Sequence, residues 1–294
     1  MSDPQKRVGL IGLGLVGSAL AERFLAHGYQ VVGYDLDTEK RKALVERGGI
    51  GAGSPAAVTE RVERLVLSLP TTEVVLDVLG GASGILAASS LPTTILDTTT
   101  GDPSETEALA AALATRGIAY MDTAISGSSK QVRGGEATLL VGGTPAAYAA
   151  SADLLACVTD RVFHLGSAGS GSRAKLATNL ILGLNRAALA EGLVFAEALG
   201  LDLAVFLDVL KNSPAYSVAV DIKGEKMRTG EFTPESRVLQ HKKDVGLILA
   251  AAHATGQELP LSQVHHTLLT EAVEAGEGEL DNAVIIEAIR RKRR

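Results

Sequence analysis

Apolar residues follow two different patterns along the chain. In the first half they come as short unbroken runs: residues 7–12 (RVGLIG), 30–35 (QVVGYD), 64–69 (RLVLSL), 94–98 (TILDT) and 118–123 (IAYMDT). A strand that is apolar on both sides must be covered on both faces, so these runs predict a parallel sheet. Between them, residues 16–27, 38–47 and 103–116 read as helices, with Gly28, Gly48, Gly49 and Pro70 as stops. Strand and helix alternate, which predicts helices wound over both faces of the sheet. Residues 137–141 (ATLLV) and 161–165 (RVFHL) predict two further strands.

The pattern changes near Gly166. Beyond it no segment reads as a strand. Residues 172–199 are helical throughout and rich in Ala and Leu, a stretch of roughly 40 Å at 1.5 Å per residue. Further helical segments fall at 203–211, 217–228, 238–255, 261–275 and 281–290. Two domains are expected. Residues 1–166 form an α/β domain. Residues 167–294 form an all-α domain that opens with a long interdomain helix.

Composition narrows the possibilities. The chain has 294 residues, 46% of them hydrophobic, enough for two cores. Aromatic residues make up only 3%, so packing must rest on Ala, Leu, Val and Ile. A net charge of −6 argues against a nucleic-acid surface. The basic run at 290–294 reads as a solvated helix end, where cations suit the helix dipole. Cys157 is the single cysteine, which excludes an intrachain disulfide and suggests a packed small side chain. No signal-peptide pattern precedes the strand at residue 7. The apolar stretch 176–201 is interrupted by Asn179, Asn185, Arg186, Glu191 and Glu197, which makes a poor membrane span. A cytoplasmic protein with neither membrane nor nucleic acid as partner is expected. The six histidines, His164, His241, His265 and His266 among them, form no familiar ligand set, so no catalytic metal is expected.

One turn carries specific chemistry. Gly12, Leu13, Gly14, Leu15, Val16 and Gly17 spell G-x-G-x-x-G between a predicted strand and a predicted helix. Gly12 permits a tight turn, Gly14 lets backbone approach a pyrophosphate, and Gly17 lets helix and strand pack closely. The helix N-terminus then offers N–H groups and a positive dipole end to the anion. The first domain is therefore expected to be a Rossmann-type dinucleotide-binding domain. Asp35 ends the second strand, 23 residues after Gly12. A carboxylate there accepts bonds from ribose hydroxyls and repels a 2′-phosphate, which favours NAD over NADP. Lys40, Arg41 and Lys42 follow closely and soften that preference, leaving NADP open as a cofactor.

With further motifs included, the sequence resembles the β-hydroxyacid dehydrogenase family nearly end to end. The glycine turn is followed by Leu69-Pro70, and by Asp97-Thr98-Thr99-Thr100-Gly101-Asp102-Pro103 in place of the family's D-x-S-T-x-x-P. Asp122-Thr123-Ala124-Ile125-Ser126-Gly127-Ser128 stands where the family has D-A-P-V-S-G-G. Gly169-Ser170-Gly171, Lys175 and Asn179 match G-x-G-x-x-x-K-x-x-x-N, and Lys243-Asp244 matches its K-D.

The resemblance implies a hydride transfer between nicotinamide and a small 3-hydroxy acid or its semialdehyde. It makes Lys175 the proton donor or acceptor, a task suited to an ammonium whose pKa is brought toward neutrality. Asn179 sits one turn later on the same face, to fix the lysine or the substrate hydroxyl. Ser126, Gly127 and Ser128 would hold the substrate carboxylate through backbone N–H groups and a hydroxyl. Leu69, Pro70, Thr100 and Lys243 would meet the cofactor. Ser128, Gln131 and Val132 depart from the small residues usual in the family, in a loop expected to face the substrate. The resemblance also implies a homodimer or homotetramer. Two other readings stay open: an imine reductase, though those commonly lack the lysine, and a nucleotide-binding protein without catalysis.

Overall fold

The computed structural model describes residues 6–293. In chain order the first elements are β1 (Arg7–Ile11), α1 (Leu15–Ala26), β2 (Gln30–Tyr34), α2 (Thr38–Glu46), β3 (Ile50–Gly51), α3 (Pro55–Thr59), β4 (Arg64–Leu67) and α4 (Thr72–Gly80). Then come β5 (Thr94–Asp97), α5 (Pro103–Ala114), β6 (Ala119–Ser126), α6 (Ser129–Gly134), β7 (Thr138–Gly142), α7 (Pro145–Ala150), α8 (Ala152–Val158) and β8 (Val162–His164). The remainder is helical: α9 (Ser170–Ala198), α10 (Leu203–Lys211), α11 (Val218–Thr229), α12 (Val238–Ala254), α13 (Pro260–Glu274) and α14 (Ile285–Arg290).

The strands form one sheet in the order β3-β2-β1-β4-β5-β6-β7-β8. Alternate residues feed two cores. Leu10, Val66, Leu96 and Met121 pack on one face with Leu20 and Phe24 of α1. Ile11, Leu65, Ile95 and Tyr120 pack on the other with Val75, Leu79 and Leu113. Double-sided burial is the physical reason these strands carry no polar alternation. Pairing is parallel from β3 through to β6. It is antiparallel between β6 and β7, with Asp122 opposite Gly142 and Ser126 opposite Thr138. The uniformly parallel sheet expected from the pattern is thus interrupted once. Residues 127–137 hold only the short α6, less chain than a parallel crossover requires.

Two compact units divide between Lys175 and Leu176, inside α9. The first turns of α9 belong with the sheet because Asp122 of β6 holds them. Its Oδ1 accepts the Gly169 N–H at 2.8 Å and its Oδ2 accepts the Ser172 N–H at 2.7 Å. Glycine makes this approach possible. A Cβ on Gly171 would lie 2.4 Å from the Leu140 carbonyl oxygen, and one on Gly142 would lie 2.4 Å from Asp122 Oδ1.

The helical unit has its own core, with Ala190 and Leu193 of α9 against Leu207, Met227, Val245, Leu269 and Ile286. By length and apolarity α9 is able to cross a membrane. Its buried face of Gly183, Arg186, Ala190 and Leu193 instead lines this core. The basic run beyond Ile289 is laced to the same unit through Arg290–Glu287, Arg291–Glu277 and Lys292–Glu271. Arg294 lies outside the described residues.

Candidate active site

The C-terminal ends of β1, β4, β5 and β6 lie along one edge of the sheet, because those strands are parallel. Strand order reverses between β1 and β4, the place where open α/β sheets bind ligands. The glycine turn follows β1 and Leu69-Pro70 follows β4, so both flank that point.

The three glycines are needed for different reasons. Gly12 has φ +94°, and a Cβ on it would sit 2.2 Å from the Ser68 carbonyl oxygen. A Cβ on Gly17 would sit 1.9 Å from the Gly12 carbonyl oxygen. Gly14 faces open space, so something outside the fold can approach its backbone. Gly14 also caps α1 without any side-chain bond to the first turn. The N–H groups that open α1, at Leu15 and Val16, therefore remain for an anion. Leu13 is placed differently. Its side chain is buried in the core and its N–H donates to Asp35 Oδ2 at 2.7 Å.

Asp35 is oriented in advance by that bond and by the Asp37 N–H, 2.9 Å from Oδ1. A cavity of about 630 Å³ opens beside it, lined by Gly12, Gly14, Asp35, Leu69, Pro70 and Val78. Its mostly apolar wall and the carboxylate of Asp35, oriented by backbone, fit the adenosine half of a dinucleotide. Val74 and Val78 of α4, which no sequence motif marked, supply apolar wall. Their spacing of four residues on a helix was the only signal. When bound, a nicotinamide cofactor supplies or accepts a hydride.

Behind the next strand ends, buried carboxylates fix the backbone. Asp97 accepts the Tyr120 hydroxyl at 2.5 Å and the Thr99 N–H at 2.8 Å. Burial pushes its pKa above the usual carboxylate range, against those hydrogen bonds. Thr99 in turn accepts the Leu69 N–H at 3.3 Å, tying the ends of β4 and β5 together. Thr100 follows, half-buried.

Ser126 ends β6, half-buried, and Gly127 follows with φ +149°. The segment after it is not the loop expected from sequence. Ser128 is the N-cap of α6, and its hydroxyl accepts the Gln131 N–H at 3.3 Å. The Gln131 side chain accepts the Ser128 N–H at 2.8 Å, completing a capping box. The Ser128 N–H is thus spent within the fold rather than offered to a carboxylate. Val132 is wholly buried in the sheet core. The departures from small residues build a helix here.

Lys175 is buried on α9, one turn beyond the Ser172 held by Asp122. Asp122, which carried no assigned role in the sequence, is therefore the anchor of the lysine-bearing helix. Burial raises its pKa, against the N–H bonds it accepts. In the helical unit, Asn179 is buried and its Nδ2 donates to Asp244 Oδ2 at 3.1 Å. Lys243 Nζ stands 3.4 Å from Asp244 Oδ1. Asn179, Asp244 and Lys243 thus form one polar chain.

Comparison with known proteins agrees with this fold. The NAD binding domain of 6-phosphogluconate dehydrogenase matches residues 7–166, and the NAD-binding region of NADP-dependent 3-hydroxyisobutyrate dehydrogenase matches residues 169–289. L-threonate dehydrogenase of Cupriavidus necator is 32% identical over 285 residues, 96% of this chain and 95% of that one. Mitochondrial 3-hydroxyisobutyrate dehydrogenase of Rattus norvegicus is 30% identical, covering 96% of this chain and 87% of its own. A crystal structure of 3-hydroxyisobutyrate dehydrogenase from Salmonella typhimurium has a TM-score of 0.88 at 28% identity, covering 96% of this chain and 99% of that one. Fold, cofactor turn and relatives define a nicotinamide-dependent hydroxyacid oxidoreductase. The chain belongs to the β-hydroxyacid dehydrogenase family.

Proposed function

We propose that the protein oxidises a small 3-hydroxy acid, or reduces the matching semialdehyde, with NAD as preferred cofactor and Lys175 as general acid and base. The burial of Lys175 on a helix whose start is clasped by Asp122 carries this reading. Reduction of a carbonyl builds negative charge on its oxygen, and an ammonium can deliver the proton there. In oxidation the amine removes the hydroxyl proton. Ser126 and Gly127, on the strand that holds the helix, receive the substrate carboxylate. Asn179, held by Asp244, orients the reacting group.

Asp35 supports NAD, because its carboxylate is already turned toward the cavity by two backbone N–H groups. Gly14, Leu15 and Val16 receive the pyrophosphate at the start of α1, and Leu69, Pro70 and Thr100 line its path. Lys243 meets the cofactor. Substrate candidates are the 3-hydroxy acids 3-hydroxyisobutyrate and glycerate, and beside them 4-hydroxybutyrate; the similarity to a threonate enzyme adds L-threonate. Exposed Phe195, Leu199, Val205 and Val209 on the helical unit support a homodimer or homotetramer. The proposal places the protein in the cytoplasm; its lone, buried cysteine suits a reducing compartment.

The test is a panel of these acids with NAD, run on the wild type and Lys175→Met. Lys175→Met is expected to lower kcat by about 10³-fold, within the range of general acid–base catalysis, with NADH binding retained. Turnover within about ten-fold of wild type would remove Lys175 from the chemistry. Imine reduction without any hydroxy-acid turnover would favour an imine reductase. NADH binding with no turnover on any substrate would leave a nucleotide-binding protein.

A further inference from the structure

A hydroxyl buried in the sheet reaches the cavity wall through a relay of hydrogen bonds. Tyr120 of β6 shares a core with Ile11, Leu65 and Ile95. Its hydroxyl donates to Asp97 Oδ2 of β5 at 2.5 Å. Burial raises the tyrosine pKa well above its usual value, so the hydroxyl keeps its proton and acts as the donor. The other oxygen, Asp97 Oδ1, accepts the Thr99 N–H at 2.8 Å. Thr99 Oγ1 then accepts the Leu69 N–H at 3.3 Å, just beyond the end of β4. Tyr120, Asp97 and Thr99 are all buried, and Leu69 lines the cavity beside Asp35.

Close packing locks the Tyr120 ring in place. The two oxygens of a carboxylate turn together as one plane, so a donor that fixes Oδ2 also aims Oδ1 at the Thr99 N–H. Aim therefore passes from β6 across β5 to the end of β4. A phenylalanine would fill the same core but leave a buried carboxylate oxygen short of its donor. We infer that Tyr120 is a positioning residue for the cofactor: its hydroxyl, acting through Asp97 and Thr99, sets where the backbone of Leu69 stands in the cavity wall. The inference rests on the reading of Leu69 as a contact of the cofactor.

The test measures NADH affinity by the fluorescence of the reduced ring, together with the unfolding midpoint. Tyr120→Phe keeps the ring and removes the hydroxyl. It is expected to weaken NADH about five-fold, part of the value of one hydrogen bond to a charged group. Thr99→Val removes the acceptor of the Leu69 N–H and is expected to act alike. Because both variants break one relay, the double variant is expected to lose less than the product of the two single losses. Tyr29 supplies a matched control. Its hydroxyl also donates to a carboxylate at 2.5 Å, that of Asp153, which pairs with Arg64 at the opposite end of β4. Tyr29→Phe is expected to lower the unfolding midpoint and to leave NADH affinity unchanged. Unchanged NADH affinity in Tyr120→Phe, an equal loss in Tyr29→Phe, or single losses that multiply in the double variant would each overturn the proposal. Leu69→Ala tests the underlying reading separately. It is expected to weaken NADH, and unchanged affinity there would remove the end of β4 from cofactor binding, whatever Tyr120 does.

Discussion

The two units handle buried charge in opposite ways. In the sheet unit, Asp97 and Asp122 accept backbone N–H groups at the ends of strands and helices. In the helical unit, cations are buried within helices, Lys223 in α11 and Arg186 in α9. Lys223 of α11 donates to both oxygens of Asp281, at 2.7 and 2.9 Å. Arg186 is buried at the centre of α9, and its Nε and Nη1 have no hydrogen-bond partner among the described residues. Burial lowers its pKa to about 10, which still leaves it charged at neutral pH. His265 is pushed down to about 4 by burial, then by Arg186, so it is neutral there. The difference teaches where each unit stores its precision. The sheet unit aims backbone, and the helical unit depends on pairs that local sequence does not announce.

The largest expected effect breaks one such pair. Asp281 is fully buried and accepts from Lys223, from the Glu235 and Ser236 N–H groups and from the Ala283 N–H. Asp281→Leu strands Lys223 and is expected to cost about 3–5 kcal/mol in chemical unfolding. Adding Lys223→Met is expected to recover part of that loss, since the Lys223 ammonium is then no longer stranded, while Arg186, whose charge Asp281 also favours, keeps the recovery incomplete. Burial opposes the charge on Asp281, yet Lys223 and the backbone bonds hold its pKa below the usual carboxylate range. The stabilisation is therefore fully present above the ordinary carboxylate value, about 4, and is lost as pH falls through the lower folded value. An acid-unfolding curve of the same shape in the double variant would show that the pair is not its source.

The same contrast decides what was legible in the sequence. Gly12 and Gly17 were legible because each answers a backbone requirement that only glycine meets, and their spacing with Gly14, whose Cβ position is open, is local. The longer strands were legible because burial on both faces erases polar alternation, whereas the two-residue β3, half-exposed, was not. The antiparallel turn to β7 was not, because β7 is as apolar as a parallel strand and only the short connection reveals its direction. Helix α6 was hidden because S-G-S reads as a turn until Gln131 is recognised as the third residue of a capping box. Lys223, 58 residues from its partner Asp281, could not be paired by spacing at all. Asp122 was visible as a motif letter, yet its grip on α9 depends on β6 and α9 meeting in space.

That grip gives the next effect in size. Asp122→Asn keeps one acceptor but sets an amide N–H₂ against a backbone N–H and removes the charge at the start of α9. Loss of one charged hydrogen bond is expected to cost about 2 kcal/mol. Because the anchor aims Lys175, a small shift of the helix is expected to lower kcat by about 10²-fold while NADH binding holds. The raised pKa of Asp122 fixes the sign of the pH dependence. Between the usual carboxylate value and the raised folded one, the folded protein holds a proton that the unfolded chain has released, so stability falls as pH rises through that window. Asp122→Asn is expected to flatten that slope. Equal losses of kcat and of NADH affinity would mean that the substitution loosens the whole sheet unit rather than the helix alone.

The smallest effect tests whether Ser128 belongs to the fold or to the substrate. As an N-cap its hydroxyl holds one N–H of α6, so Ser128→Ala is expected to cost about 1 kcal/mol and Ser128→Gly only a few tenths. The Gln131 bond to the Ser128 N–H survives both changes, because it uses backbone. A cap-only role therefore predicts a lowered unfolding midpoint with KM for the hydroxy acid changed less than about two-fold, whereas loss of a bond to a carboxylate would raise KM about ten-fold. Gln131→Ala gives the reciprocal result. It releases the Ser128 N–H beside Ser126 and Gly127, where a substrate carboxylate can then accept it. A lower KM in Gln131→Ala together with an unmoved KM in Ser128→Ala would establish that this chain closes α6 with a donor that a glycine-rich segment would leave for its ligand. A KM that rises in both would return Ser128 to the substrate.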